Sequence, residues 1–316
     1  MRDVISAGHP MRSDPVIKVR GLTVSYAAKK AVNSISFDVY QGEVFALLGT
    51  NGAGKTTTLD ILEGYRKPTS GRVSVFGVDP HSARSEISAN IGIMLQEGGF
   101  FGGLTVAETI RAWRRFTPHA ASVSEAMDLV NLTSRARTKV DHLSGGERRK
   151  LDLTLAILGK PRLLFLDEPT TGFDPEARRE TWQFLKRMVS RGMTVLLTTH
   201  YMEEAEFLAD RVAIMDRGKI VRQGPVAQVV AEEFSILISL PAASWVTACD
   251  IPVLPASRVE VANGKISVIT ASPQAVLLQL LVWADQNRVT FCGIESRSAS
   301  LEDVFLEVAT SGRVET

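Results

Sequence analysis

The spacing of apolar positions changes along the chain, and the changes divide it. Ile35, Phe37 and Val39 alternate with Ser36 and Asp38, the two-residue period of a half-buried strand that ends at the Gln41-Gly42 turn. Ile17–Val19 and Leu22–Tyr26 read as short strands before it. Val44-Phe45-Ala46-Leu47-Leu48 is apolar throughout, as in a strand buried inside a sheet. Val73–Val78, Ile91–Leu95, Leu163–Leu166 and Thr194–Thr199 continue the strand rhythm, and Arg211–Gln223 reads as a hairpin around Arg217-Gly218. From Leu104 to about Arg137 the rhythm breaks. Val106, Ile110 and Trp113, then Ala126, Met127 and Val130, give a segment of helical character with Thr105 as N-cap and Glu108 at the third helical position. A helical insert is therefore expected over about 97–145.

From about Pro225 the texture changes again. A short helix over Val226–Phe234 precedes a segment holding Pro241, Pro252 and Pro255. Val259 and Val261, then Ile266 and Val268, flank Asn263-Gly264, a strong two-residue hairpin signal. An apolar helix over Gln274–Gln286, a strand over Thr290–Ile294 and a helix over Ser300–Val308 follow. On the last helix Leu301, Val304 and Phe305 share a face and read as internal core. The fold class is α/β: a core with a β-subdomain and a helical insert over 16–233, then a small α/β accessory domain over 234–316. Residues 1–15 read as a disordered tail too polar for a signal peptide, with Met11 as an alternative start.

Chemistry concentrates in six places. Gly49-Thr50-Asn51-Gly52-Ala53-Gly54-Lys55-Thr56-Thr57 fits G-x-x-x-x-G-K-[ST] and stands between an apolar strand and a helix over Thr56–Leu62. Backbone N–H groups freed by the glycines would converge on phosphate oxygens at the positive end of the helix. Lys55 would reach the β- and γ-phosphates and Thr56 would hold Mg²⁺. Asp167-Glu168 ends an apolar strand, where one acid suffices for Mg²⁺ and the second is placed to take a proton from attacking water. His200 follows the strand Thr194–Thr199; a lone histidine there is more often structural, but its place after a third parallel strand points to the γ-phosphate. Gln96, at a strand end before Gly98-Gly99, is a candidate Mg²⁺ ligand and γ-phosphate reporter that draws weight only from these neighbours. Ser144-Gly145-Gly146-Glu147 has the spacing of a capping box, but paired glycines cost helix stability unless a backbone must come close to something. Tyr26, two dozen residues before the loop, reads equally as a strand aromatic.

Composition narrows the partners. With 36 basic and 35 acidic residues in 316, the net charge of +1 gives no support for a nucleic-acid partner. Cys249 and Cys292 are too few for a disulfide scaffold, lack metal-ligand spacing and suit a reducing, cytosolic setting. No apolar run approaches the ~20 residues that span a bilayer.

In series, these motifs resemble the ATP-binding subunits of ABC transporters over about Val16–Gly224. The resemblance implies Tyr26 as the aromatic that stacks on adenine, Gly49–Thr57 as the phosphate loop and Gln96 in the loop that couples to membrane domains. It implies Leu143–Glu147 as the family signature, Asp167 as the magnesium-side acid, Glu168 as catalytic base, Asp174 as the turn aspartate at the dimer seam and His200 as the γ-phosphate histidine. Two copies would sandwich two ATP molecules, with Ser144 and Gly146 of one touching the γ-phosphate at Lys55 of the other. A separate integral membrane permease would complete the machine, and the chain would sit peripherally on the cytoplasmic side of the membrane. Thr199-His200-Tyr201-Met202-Glu203-Glu204-Ala205 and Ser300-Leu301-Glu302-Asp303-Val304-Phe305-Leu306 look like the drug-exporter branch, with drug-like or hydrophobic cargo. One departure is Glu147 where the signature usually has glutamine; Arg148, Arg149 and Lys150 are the expected offset to its charge.

The rival from another class is an ABC ATPase acting in translation or DNA repair. Translation relatives carry two cassettes where this chain carries one, and repair relatives insert a long coiled coil where only the helical insert separates Gln96 from the signature. A P-loop kinase of small molecules would leave the signature and His200 without a role.

Overall fold

The computed structural model describes residues 14–311 except 28, 97, 231–233, 242–244, 257 and 299, so all but the last two residues of the expected tail lie outside it. The chain divides into two compact units, 1–223 and 224–316.

In the first unit β1 (Ile17–Tyr26) pairs antiparallel with β2 (Lys29–Val39), and β3 (Val44–Gly49) leads into α1 (Lys55–Leu62). β4 (Ser70–Val75) returns to the other side of β1. After α2 (Arg84–Ser88) and β5 (Ile91–Met94) come three helices, α3 (Val106–Arg114), α4 (Val123–Leu129) and α5 (Gly145–Ile157). β6 (Leu163–Asp167), α6 (Pro175–Val189), β7 (Thr194–Thr199), α7 (Met202–Leu208), β8 (Arg211–Asp216) and β9 (Lys219–Pro225) follow. β2-β1-β4 make a three-stranded sheet, and β5-β6-β7-β3-β8-β9 a six-stranded one whose first five strands run parallel. β3, β6 and β7 are buried at every residue, which is why none of them alternates between apolar and charged positions. β2 faces solvent on one side and does alternate. Phe37 of β2 stacks on Phe45 of β3 at 5.1 Å, within a core shared by both sheets and α1.

The helical insert has its own core, built from Val106, Ile110, Met127, Leu132, Leu151 and Leu155 among others. Thr105 and Glu108 form the expected capping box, but the segment is two short helices with turns after them. Pro118 disfavours helical geometry at Thr117, and a second capping box, Ser122 with Glu125, starts α4. β1 is one strand instead of two, with irregular register between Val19 and Leu22. The sequence reading gave no element between Pro175 and Met193. α6 occupies most of it, opened by the Asp174 N-cap with Pro175 in the first turn and buried through Trp182, Phe184 and Leu185.

The second unit opens with α8 (Val226–Val229), and β10 (Phe234–Ser239) begins where the expected short helix would have ended. β11 (Arg258–Ala262) and β12 (Lys265–Thr270) form the hairpin expected at Asn263-Gly264, whose φ angles of 50 and 70° suit a primed turn. α9 (Pro273–Gln286), β13 (Gly293–Ser298) and α10 (Leu301–Ser311) complete it. The sheet order is β11-β12-β10-β13, antiparallel throughout. Ile236, Ile238, Ile266 and Val268 pack on Val276, Leu280 and Trp283 of α9. β13 lies three residues later than expected. Its side chains are exposed at every position, so burial imprinted no pattern on its sequence, and Phe291 supports the core from the preceding loop. On α10, Leu301 and Val304 are buried as expected.

Candidate active site

Parallel pairing brings the chemistry to one edge. Leu48 lies opposite Thr199 and Asp167 opposite Thr198, so Gly49, Glu168 and His200 all emerge at the C-terminal ends of adjacent strands. In open α/β sheets this edge is where ligands bind. The phosphate loop bends from β3 into α1 through Gly54, at φ 104°, where a Cβ would stand 2.5 Å from the Ala31 carbonyl. That contact also sets the start of β2 beside the loop, and Tyr26 pairs with Lys29 two residues earlier. Tyr26 is part-exposed, with the Arg66 guanidinium 4.5 Å from its ring centre.

Lys55 is buried, and its Nζ donates to the carbonyls of Gly49 at 2.7 Å and Thr50 at 3.2 Å. Burial lowers its pKa, while Glu168 and Asp167 pull it back up. Thr56 Oγ1 donates to Asp167 Oδ2 at 3.0 Å, and Thr198 Oγ1 donates to Asp167 Oδ1. Glu168 Oε1 is 4.0 Å from Lys55 Nζ and 3.1 Å from His200 Nδ1, and Thr171 Oγ1 donates to Oε2. Lys55, Thr56, Asp167, Glu168 and His200 thus form one connected cluster. Its donor set fits a triphosphate with Mg²⁺: a hydroxyl and one carboxylate as hard oxygen ligands, an ammonium for phosphate, a second carboxylate held off the first. Among the described residues no three His, Cys, Asp or Glu side chains group as a metal cage.

Other expected residues stand apart from the cluster. Gln96 is exposed just beyond β5, the neighbour of β6, and its side chain takes no hydrogen-bond partner among the described residues. Asp174 Oδ1 caps α6 by accepting from the backbone N–H groups of Glu176 and Ala177. The signature opens α5: Glu147 N–H donates to Ser144 Oγ at 3.2 Å, and Ser144 N–H donates to Glu147 Oε2 at 2.9 Å. These bonds and Arg135 hold the Glu147 pKa down. The expected offset to its charge is corrected. Arg135 pairs with Glu147 at 2.6 Å, whereas Arg148 reaches the Val140 carbonyl, Arg149 turns inward and Lys150 pairs with Glu180. Gly145 has open space where a Cβ would sit, and Gly146 only ordinary contact with Phe173 at 3.8 Å. Nothing among the described residues demands either glycine.

Four buried polar residues escaped the sequence reading. Thr198 ties β7 to Asp167, and its carbonyl accepts from Glu168 N–H at 3.0 Å. Its signal was a hydroxyl in a fully buried strand. Glu204 Oε1 accepts from Thr170 Oγ1 at 2.8 Å and Trp182 Nε1 at 3.0 Å, and burial raises its pKa. Glu63, at the end of α1, is pushed up to about 8 by burial, with Asp60 and Asp167 adding to it. Arg149 donates to the carbonyls of Leu95, Asp167 and Glu168. The last three offered no one-dimensional signal, because each sits on or at the end of a helix among ordinary charged residues.

Comparisons with known proteins agree with this geometry. The family model described as ABC transporter matches residues 32–171, and one described as the C-terminal domain of ABC transporter domain-containing protein-like chains matches 236–300. The Nod factor export ATP-binding protein I of Rhizobium johnstonii is 33% identical over 302 residues, spanning 94% of this chain and 95% of its own. A solved ATP-binding subunit of an ABC transporter superposes with a TM-score of 0.60 at 25% identity, covering 68% of this chain and 91% of that one. A dimeric ATP-binding cassette in a post-hydrolysis state, bound to ADP and phosphate, superposes with a TM-score of 0.61. At 23% identity, over 67% of this chain and 99% of that one, it shares the fold.

Proposed function

The chain belongs to the ABC transporter family as an ATP-binding subunit and an ATPase, and from that premise we propose that two copies close around two ATP molecules to drive an exporter whose membrane permease is a separate chain. The observation that carries the catalytic part is the position of Glu168, 4.0 Å from Lys55 and 3.1 Å from His200, beside an Asp167 already bonded to Thr56. Lys55 and the loop N–H groups bind phosphate, and Thr56 with Asp167 holds Mg²⁺, which supplies charge neutralisation on the phosphates. Glu168 orients or activates the attacking water, and His200 keeps Glu168 and the γ-phosphate in register. Gln96, two residues beyond β5, the strand neighbour of these acids, completes the γ-phosphate end.

Dimerisation is supported by the signature glycines. They weaken the first turn of α5, yet no contact inside the chain uses the space they leave. A partner's triphosphate, approaching Ser144, Gly145 and Gly146, gives that space a purpose. Asp174, exposed at the head of α6, belongs to the same seam. Docking on a permease is supported by a groove of about 450 Å³ beside the Gln96 loop, whose lining includes the exposed side chains of Tyr65, Leu95, Trp113 and Phe116. No described helix is long and apolar enough to cross a membrane. A peripheral place on the cytoplasmic face follows from the proposed work on a separate permease. Export of drug-like or hydrophobic cargo is supported by the two sequence runs of the drug-exporter branch, and the export direction by the name of the relative above. Replacing Glu168 with glutamine tests the reading: ATP affinity is kept, turnover falls by about 10²-fold or more, and an ATP-bound dimer accumulates. Near-normal hydrolysis by that variant removes Glu168 from the role.

A further inference from the structure

Glu168 stands in an unusual backbone conformation. Its φ of 49° lies in the left-handed region, which costs a non-glycine residue about 1–3 kcal/mol unless its surroundings enforce it. Two strands hold part of it, through the bond from Glu168 N–H to the Thr198 carbonyl. The other side is held by Arg149, four residues past the helix-opening Gly145 of α5. The guanidinium is buried, and one nitrogen donates to the carbonyls of Glu168 at 2.7 Å and Asp167 at 3.1 Å. The other nitrogen donates to the Leu95 carbonyl at 2.7 Å, the residue before Gln96, and lies 3.7 Å from Asp152 Oδ2 on the same helix. Asp152 in turn abuts the far side of the glutamine loop: a Cβ on Gly98 would stand 2.1 Å from its Oδ1. One side chain therefore joins the signature helix, the glutamine loop and the strand end that carries both acids.

We propose that Arg149 is a positioning residue for hydrolysis: its fork holds the Glu168 backbone in the left-handed conformation that aims the carboxylate at Lys55 and His200, and ties that conformation to the loop carrying Gln96. The arrangement needs arginine because three carbonyls in two directions are met by a planar fork, which a lysine ammonium cannot match. A displacement of α5 or of the glutamine loop would then be felt at Glu168 without passing through the nucleotide. The inference rests on Glu168 being the catalytic base.

The test uses the full chain with Arg149→Lys and Arg149→Met, measuring melting temperature, ATP affinity and kcat, alone and combined with Glu168→Gln. A positioning role gives ATP affinity within about threefold of wild type, kcat lowered about tenfold or more, and no further loss when Arg149→Lys is added to Glu168→Gln, because the group it positions is already gone. Wild-type kcat in a folded Arg149→Lys variant overturns the inference, as does an equal loss in both backgrounds, which marks general support of the fold. Should neither Arg149 variant melt cooperatively, Gly98→Ala decides from the exposed loop. The added methyl displaces Asp152 and strains its pair with Arg149, so a lowered kcat at unchanged affinity supports the inference and an unchanged kcat overturns it. A normal rate for Glu168→Gln alone removes the base assignment; a fall in kcat with Arg149→Lys then keeps Arg149 as the holder of Asp167, and no fall overturns it.

Discussion

The two units of this chain bury different things. Among the described residues, every buried charged side chain lies in the first unit: Lys55, Glu63, Arg149, Asp167, Glu168 and Glu204. The second unit buries Ser235 and Thr270 and otherwise aliphatic and aromatic groups. A buried charge is costly unless partners offset it, so a domain that needs only to fold avoids it. The second unit follows that economy, with a sheet packed on one helix. The first departs from it at the end of β6 and on the helices packed around it, at or beside the cluster around Asp167 and Glu168. Among the described residues, burial of charge thus separates the unit that carries the candidate site from the other.

The largest test of this contrast is Glu63. Its carboxyl titrates near 8 in the folded protein against an ordinary value of 4.5, so the native state holds the proton more tightly than the unfolded chain does. Its contribution to stability is fully present below about pH 4.5 and is lost as pH rises through 8. At about 1.4 kcal/mol per pH unit of displacement, the loss amounts to roughly 3–5 kcal/mol. Glu63→Gln mimics the protonated form. It should match wild type near pH 5 and exceed it above pH 8 in denaturant titrations; parallel pH profiles would show that Glu63 is effectively solvated.

A smaller effect is expected at Tyr26. If its ring stacks adenine, Tyr26→Ala weakens nucleotide binding by about 1–3 kcal/mol while Tyr26→Phe is tolerated. Equal behaviour of the two variants in a nucleotide titration would make the ring a partner of Arg66 alone. Smaller again is Glu147→Gln. The capping geometry survives in glutamine, and the pair lost with Arg135, half-exposed on the arginine side, is worth about 0–1 kcal/mol. Removing the charge beside a partner's γ-phosphate should tighten ATP-driven dimerisation; a clear drop in melting temperature with unchanged dimerisation would assign Glu147 to the helix alone. The smallest expected change sharpens the comparison most. A chain ended at Val230, which keeps β9 whole, should bind ATP within about twofold of the full protein, since every phosphate-contacting candidate lies in the first unit. Loss of ATP binding would show that the division by buried charge does not describe function.

The sequence alone determined whatever local chemistry writes into consecutive positions. The phosphate loop, both acids, His200, the capping box at Ser144 and the Asn263-Gly264 turn are each a short pattern whose geometry is set by neighbours in the chain, so they were legible. The all-apolar β3 and β6 announced a buried parallel sheet for the same reason. What escaped is what only tertiary packing decides. α6 was missed because its apolar stripe at Trp182, Phe184 and Leu185 is sparse among charges, and β13 was misplaced because an exposed edge strand carries no burial pattern. Arg148, Arg149 and Lys150 read as one basic run. The fold sends them to three different partners, because successive helical positions point about 100° apart and only one of them faces the sheet. Which of three adjacent cations touches the strand that ends in Asp167 and Glu168 is a fact about the packing of α5 on β5 and β6, and no pattern of consecutive residues contains it.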